Sequence, residues 1–196
     1  MQHLYAITNI SELQNINPRD AEHVRVAGYR DPADGGGGEF YWDVNSKLDV
    51  DQGHVFQSTH EISGRWRRLP SANIDVRHFG ALPSSGDVSN QMQKALNAVG
   101  SGGTIHIPAG HYTITRPLMV HQGTTVRGDG LLTELHYSGP KGTSCWNAAQ
   151  RSPATSMSFY GLNTLVLNEH TSAFRLTGMS YSRFDLLFVH LRVPNT

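Results

Sequence analysis

The chain has 196 residues, with 16 Lys and Arg balanced by 16 Asp and Glu. This balance argues against a nucleic-acid binder that relies on a broadly basic surface. The hydrophobic fraction of 38% and the charged fraction of 16% are typical of a folded chain rather than a disordered tail. The sequence contains no run of about 18 apolar residues, so it predicts no membrane span.

The ends and the cysteine content give further expectations. Cys145 is the only cysteine, so no disulfide can form within the chain. The first residues, MQHLYAITNISELQ, lack the basic start and the apolar stretch of a secretory signal. The sequence therefore predicts no signal peptide, and a protein that acts outside a cell would leave by lysis or on a particle.

Residues 1–20 are predicted to form a short lead. Ser11 and Gln14 have the spacing of a capping box, in which two side chains satisfy free N–H groups at a helix start. This spacing predicts a short helical turn before Pro18.

Residues 21–70 are predicted to form a small β module. Alternating or aromatic-rich segments favour strands at 23–27, 40–43, 55–56 and 65–67. The Gly run 35–38 invites comparison with a phosphate-binding loop, but the required Lys and Ser/Thr are missing and no helix is predicted to follow. A tight turn is the favoured interpretation, and residues 69–73 are predicted to link this module to the next.

One amphipathic helix is predicted after residue 88. Met92, Ala95, Leu96 and Val99 recur at helical spacing and define one apolar face. Gly100 is expected to end the helix. The expected N-cap is Asp87 or Ser89, and the residues expected to face away from the apolar side are Gln91, Gln93, Lys94 and Asn97.

Short alternating segments follow the helix, each ending at Gly or Pro. They lie at 104–107, 112–114, 118–120 and 125–127. Strands this short are unstable as isolated hairpins, but they become stable when successive coils stack their strands into parallel sheets.

The coil pattern is predicted to continue to the last residues. Strands are expected at 134–137, 164–167, 173–176 and 184–189, with a long excursion over 139–156 that is rich in Gly, Pro, Ser, Thr and Asn. The spacing from Leu165 to Phe184 predicts a coil of about 20 residues, and the segment as a whole predicts three or four coils.

The run from Phe79 to Gly130 combines the strings FGA, GD, ALNA, GGTIHIPAGHYTI and VRGDG. This combination resembles the opening of the pectate-lyase-like parallel β-helix of phage tailspikes and polysaccharide depolymerases, from Ile74 to about Val193. The resemblance implies that the helix closes the N-terminal end of a right-handed parallel β-helix with few rungs. Val88-Ser89-Asn90 departs from the acidic and Thr residues that usually precede this helix in the family.

A second resemblance covers the β module. The strings AGYRDPADGGGGEFYWD and GRWRRLP resemble a small module that often precedes the β-helix in phage tailspikes and joins the spike to the particle. The expected fold is therefore mainly β. The expected division is a lead at 1–20, a particle-attachment-like module at 21–70, and a cap helix with the first rungs of a β-helix at 71–196.

These resemblances imply a tailspike-like protein of the virion tail. No cofactor and no nucleic-acid partner are expected. The implied partners are a bacterial surface polysaccharide and a phage tail or baseplate protein, and the implied assembly is a homotrimer. Two alternatives stay open: a glycoside hydrolase or lyase of the same β-helix class, and a non-catalytic structural or adhesive module. The catalytic residues of an enzyme are expected mainly beyond Thr196.

Candidate site residues are few. Glu169 and Asp185 are the candidate catalytic carboxylates, since glycosidases use a carboxylate pair. Trp146 and Tyr137 are the candidate sugar-binding aromatics. His60-Glu61 lacks the second histidine of a zinc motif, so no metal site is predicted. The remaining histidines of interest are predicted to line one face of the coil: His106, His111, His121 and His136.

Overall fold

The computed structural model of the chain describes residues 5–71, 73–148, 156–168, 170–176 and 182–191. Most of the regular structure in these residues is strand. The strands are β1 Tyr5–Ile7, β2 His23–Val26, β3 Gly38–Asp43, β4 Val55–Phe56, β5 Arg65–Arg68, β6 Ile74–Asp75, β7 Thr104–Ile107, β8 Gly110–Ile114, β9 Leu118–Val120, β10 Thr125–Gly128, β11 Thr133–Tyr137, β12 Ser144–Ala148, β13 Ser158–Val166, β14 Ser172–Arg175 and β15 Arg183–Leu191. The helices are α1 Ile10–Gln14 and α2 Ser89–Val99, with short 3-10 helices at Val76–Phe79 and Gly130–Leu132.

The chain divides into two compact units. The first comprises the described residues up to 71 together with Arg77–Gly80, and the second comprises 73–76 and the described residues from 81 onward. The first unit contains one sheet in the order β1-β2-β3-β5-β4. β1 pairs with β2 in parallel, and the other neighbours are antiparallel.

Buried and exposed side chains alternate along β2 of the first sheet. Val24 and Val26 of β2 are buried while their neighbours are exposed, because successive side chains of a strand point to opposite faces. Phe40 and Trp66 extend this core, and Leu13 of α1 is fully buried with them. The segment 5–14, expected as part of a separate lead, therefore contributes a strand and a helix to this sheet and core.

The predicted helical turn before Pro18 is present as α1, but its cap differs from the prediction. Asn9 is the N-cap residue, and its side-chain oxygen accepts a hydrogen bond from the Glu12 N–H at 3.2 Å. Glu12 reaches back and accepts from the Thr8 N–H at 3.4 Å. The capping pair is thus Asn9 and Glu12 rather than Ser11 and Gln14, because the helix begins one residue earlier than Ser11.

The second unit is a stack of parallel strands. Its largest sheet has the order β6-β7-β10-β13-β11-β8, with β15 paired to β13, and a smaller sheet has the order β14-β12-β9. All of these pairings are parallel. β7, β8 and β9 form a first rung, and β10, β11 and β12 form a second rung on top of it. The expected mainly β fold with a parallel β-helix is confirmed.

The interior of the coil is filled by ladders of apolar residues at matching positions. Ile105, Val126 and Phe159 are fully buried neighbours across three strands. Phe159 also stacks on Phe184 of β15, which is 46% exposed, at 5.5 Å between ring centroids. Such stacking keeps each rung in register, because a slip by one residue would turn the apolar side chains outward.

The rungs are longer and less regular than predicted. Ile105 pairs with Val126, 21 positions later, whereas Val126 pairs with Phe159, 33 positions later. The predicted strand at 164–167 is the end of the longer β13. The predicted excursion at 139–156 contains β12, which joins the smaller sheet between β9 and β14. The predicted coil of about 20 residues from Leu165 to Phe184 was wrong. Leu165 pairs with His190, 25 positions later, because corner loops differ in length while paired strands keep their register.

Helix α2 lies against β6 and against β7 and β9 of the first rung. Met92, Ala95 and Leu96 are fully buried, which confirms the predicted apolar face. Burying the Met92 and Leu96 side chains stabilises the unit by about 2 kcal/mol each. The helix thus covers the end of the coil that the sequence predicted it would cover.

Two predicted details of α2 differ in the structure: its N-cap and the orientation of Gln93. The N-cap residue is Val88, without a side-chain cap, although Asp87 Oδ1 accepts from the Ser89 N–H at 3.0 Å. Gln93 was expected to face away from the apolar side, but its side chain makes hydrogen bonds to both the N–H and the carbonyl oxygen of Met119 in β9. Its Nε2 donates to the Met119 carbonyl oxygen at 3.0 Å, and its Oε1 accepts from the Met119 N–H at 2.7 Å.

Candidate functional site

The outer face of the largest sheet carries a row of polar residues. Parallel pairing of β6, β7, β10, β13 and β15 places them side by side. The row, called here the outer polar row, consists of Asp75, His106, Arg127, Tyr160 and Asp185. Side chains at matching positions of neighbouring parallel strands share one face, so the row offers a continuous polar strip.

His106 lies between two carboxylates. Its Nε2 is 2.9 Å from Asp129 Oδ1, and its Nδ1 is 3.7 Å from Asp75 Oδ2. The other oxygen of Asp129 accepts a hydrogen bond from the Ala109 N–H at 3.0 Å. The hydrogen bond from His106 holds the pKa of Asp129 below its usual range, and the Ala109 N–H adds to this while partial burial opposes it. Asp129 is therefore an ionised acceptor beside an imidazole, an arrangement that suits proton transfer.

A second cluster lies on the neighbouring strands β8 and β11. Glu134 is paired with His111, and its Oε2 is 2.8 Å from His111 Nδ1 and 3.2 Å from His136 Nε2. The two imidazole rings meet edge to face, with centroids 5.4 Å apart. The three donor atoms all lie within 4.8 Å of one another. This group is called the His111 cluster below.

The candidate carboxylates have different outcomes. Asp185 lies at the end of the outer polar row, where its Oδ2 is 3.5 Å from Arg183 Nη2. The Arg183 guanidinium also lies over the Tyr160 ring, 5.7 Å from its centroid. Glu169 lies outside the described residues. The structure therefore gives Asp185 a cationic neighbour, and its role as a catalytic residue stays a prediction.

The candidate sugar-binding aromatics lie inside the coil. Trp146 is fully buried and packs edge to face on Phe159 at 5.5 Å. Tyr137 is also buried, and its hydroxyl lies 2.5 Å from Thr143 Oγ1. Neither ring has a face available at the surface, because β11 and β12 direct both side chains toward the interior. Their predicted use as stacking platforms for sugars does not fit this placement.

The sequence did not predict a role for Tyr160 or the clustering of the histidines with carboxylates. His106, His111 and His136 were expected on one face of the coil, and all three are on outer positions, but their carboxylate partners were not assigned. Those partners come from other strands: Asp129 is 23 positions beyond His106, and Glu134 is 23 positions beyond His111. The shared separation of 23 residues does not by itself identify such pairs, because rungs of 21 and 33 residues give no fixed period.

Among the described residues, no helix is long and apolar enough to cross a membrane. Residues 6–71 match the family described as phage tail protein small four-stranded beta-sheet domain. One curated relative is the Mu-like prophage FluMu defective tail fiber protein of Haemophilus influenzae. It is 27% identical over 92 residues, which cover 46% of this chain and 15% of that protein.

Several solved structures with a similar fold are phage tailspikes. The tailspike protein gp49 of Acinetobacter baumannii bacteriophage Fri1, a capsular polysaccharide depolymerase, matches with a TM-score of 0.67 and 15% identity, over 93% of this chain and 42% of that one. The full-length tailspike protein 2 of an Escherichia coli O157:H7 bacteriophage matches with a TM-score of 0.69 and 14% identity, over 99% of this chain and 24% of that one. The chain thus spans less than half the length of these relatives.

The second unit carries the larger match. Residues 73–181, more than half of the chain, match the family described as Rhamnogalacturonase A/epimerase, pectate lyase-like. The match begins where the second unit begins and includes α2 and the strands from β6 to β14, whereas β15 lies beyond its end. The chain therefore belongs to the pectate-lyase-like family of rhamnogalacturonase A and epimerases, and residues 6–71, ahead of that fold, match a phage tail β-sheet domain.

Proposed function

We propose that this chain acts in a phage tailspike that attaches to the virion and recognises a polysaccharide on the bacterial surface. One observation carries the proposal: a phage tail β-sheet domain and a helix-capped parallel β-helix follow each other in one chain. The first unit would join the tail or baseplate, and the second would face the host. The capsular substrate of the Fri1 tailspike supports a glycan as the ligand class.

The outer polar row is the surface that we assign to glycan contact. Tyr160 is half-buried on this face and has Arg183 over its ring, and aromatic rings of this kind stack on the apolar faces of sugars while neighbouring polar groups bind hydroxyls. Arg127 and Asp185 flank Tyr160 in the row. The row thus combines one ring with charged groups of both signs.

Binding to purified host capsular polysaccharide tests the assignment. Tyr160→Ala is expected to weaken binding by about five- to thirtyfold, since stacking of one ring contributes on the order of 1–2 kcal/mol. Tyr41→Ala is the matched control, because Tyr41 is a half-buried tyrosine beneath Arg67 on the other unit. Equal affinity of the Tyr160 variant and the unchanged chain would contradict the assignment.

The proposed assembly is a homotrimer, and its mass in solution tests it. Sedimentation or native mass spectrometry is expected to give three times the chain mass of 21.6 kDa. A single-chain mass at every concentration would contradict the trimer. Detection of the chain in purified virions, bound to a tail or baseplate protein, would support the location and the partner.

A depolymerase is the second candidate function, and the arrangement around His106 favours it. An imidazole held between two carboxylates is a group that can take up or release a proton during glycan cleavage. Incubation with the polysaccharide is expected to yield new reducing ends from a hydrolase, or unsaturated sugars from a lyase. Binding without either product would assign this chain to adhesion alone.

A further inference from the structure

The His111 cluster brings together side chains from two rungs. His111 of β8 and Glu134 of β11 are directly paired, and His136 lies two positions after Glu134. Residues two apart on a strand point to the same face, so all three side chains project outward together. The fold fixes this meeting, because a parallel register cannot shift without turning the buried Tyr112 and Leu135 to the surface.

The donor atoms have the chemistry and the spacing of a metal site. Two imidazole nitrogens and one carboxylate oxygen are ligands that Zn²⁺ accepts, at about 2.0–2.2 Å from the ion, so ligands at tetrahedral vertices lie roughly 3.3 Å apart. The observed separations from Glu134 Oε2 are 2.8 Å to His111 Nδ1 and 3.2 Å to His136 Nε2. Small side-chain rotations would therefore seat an ion among the three atoms.

The surroundings leave a position for a further ligand. The His111 side chain is 64% exposed, and those of Glu134 and His136 are 28% and 32% exposed. On the next strand, Asn163 is paired with Glu134 and is 7% exposed. Its Oδ1 is buried and has no hydrogen-bond partner among the described residues. A buried acceptor without a partner costs free energy. The exposure of the His111 side chain leaves the cluster open to water as a further ligand of the ion.

We propose that His111, Glu134 and His136 bind one divalent transition-metal ion, with Zn²⁺ as the reference ion, and that this ion links the first two rungs of the β-helix. The site has three protein ligands and one position open to water, the arrangement of zinc sites that are not closed by four side chains. Bound ion stabilises the folded chain, because the unfolded chain does not hold these three ligands together. The site has no zinc motif in the sequence, because its ligands come from two strands rather than from one helix.

Titration of the full chain, free of any histidine tag, with Zn²⁺ tests the proposal. Calorimetry at pH 7.5 is expected to show one ion per chain, with weaker binding at pH 5.5, because protons compete for the imidazole nitrogens. The melting temperature is expected to rise with Zn²⁺. Co²⁺ in place of Zn²⁺ is expected to give the visible absorption of a site with nitrogen and oxygen ligands.

Variants decide whether this cluster holds the ion. His111→Asn, Glu134→Gln and His136→Asn are each expected to weaken Zn²⁺ binding at least tenfold and to abolish the rise in melting temperature. His121→Asn is the matched control, since His121 lies on the same unit and interacts with Asn97 at 3.3 Å, outside the cluster. Far-ultraviolet circular dichroism confirms that each variant is folded.

Two results would overturn the proposal. The first is the absence of stoichiometric Zn²⁺ binding by the unchanged chain. The second is binding that persists in all three cluster variants, or that is lost equally in His121→Asn.

Discussion

The Nη2 atom of Arg68 donates a hydrogen bond to the carbonyl oxygen of Gly36 across 2.9 Å. The same guanidinium donates to the carbonyl oxygens of Gly37 and Gly53, the latter at 2.9 Å, and it lies over the Phe40 ring at 4.6 Å. Arg68 is only 8% exposed. The Gly run predicted as a turn therefore surrounds a buried cation, and a Cβ at Gly38 would clash with Arg68 Nη1.

Arg68→Met is expected to destabilise the first unit by about 3–5 kcal/mol, because buried carbonyl oxygens lose a charged donor and stay unpaired. Arg67→Met is the control. Its side chain is 36% exposed and pairs with Asp43 at 3.1 Å, so its loss should cost no more than about 1 kcal/mol. Urea unfolding of both variants measures the difference, and similar costs would show that the Gly-run contacts contribute little.

Gln93→Ala is expected to lower stability by about 1 kcal/mol, since the side-chain amide makes both hydrogen bonds that a neighbouring strand would make to Met119. Hydrogen exchange gives a local measurement, because the Met119 N–H should exchange faster in the variant. Gln91→Ala is the control on the same helix, and unchanged protection of Met119 in both variants would contradict the bridging role.

Asp87→Ala is expected to reduce stability at pH 7 by about 1–2 kcal/mol, a value discounted because the side chain is 33% exposed. Partial burial acts to raise the pKa of Asp87, but hydrogen bonds from Ser89 and Thr115 outweigh it and lower the pKa to about 2. The ionised form is thus favoured in the folded chain. Its stabilisation is complete above about pH 4 and is lost as the pH falls toward 2.

The pH profile provides the control for Asp87. The difference in urea midpoint between the unchanged chain and Asp87→Ala should shrink between pH 4 and pH 2. Protonation of Asp87 removes its charge from the unchanged chain, and the variant has no carboxylate at this position. A difference that stays constant over this range would mean that the carboxylate acts through packing alone.

Trp146→Ala is expected to cost about 3–5 kcal/mol in stability, because the indole is fully buried against Phe159. Trp146→Phe should cost much less, since the Trp146 Nε1 has no hydrogen-bond partner among the described residues and the aromatic packing is largely kept. Glycan affinity of the folded Trp146→Phe variant should equal that of the unchanged chain. A large loss of affinity would restore Trp146 as a sugar-binding residue.

Several features could be predicted because they depend on neighbours in the sequence. The alternation of 104–107 set which side chains face inward, and the spacing of Met92, Ala95 and Leu96 set the buried face of α2. Gly and Pro marked the corners of the coil, because few other residues adopt the backbone geometry of tight turns.

Other features could not be predicted because they depend on how far apart paired strands lie in the chain. β12 was hidden in a Gly- and Ser-rich segment, and its partners β9 and β14 are what make it a strand. The burial of Trp146 follows from that pairing. The position of Gln93 against Met119 likewise depends on the packing of α2 on the first rung.

The sequence by itself determined the kind of fold, since strand alternation, turn residues and one amphipathic helix are local properties of the chain. Only the tertiary structure decided which polar side chains meet. Rungs of unequal length, from 21 to 33 residues, remove any fixed period from which the partners of His106 and His111 could be found. Their meeting with Asp129 and Glu134 is set by the register of stacked parallel strands, and that register is held by the apolar ladders inside the coil.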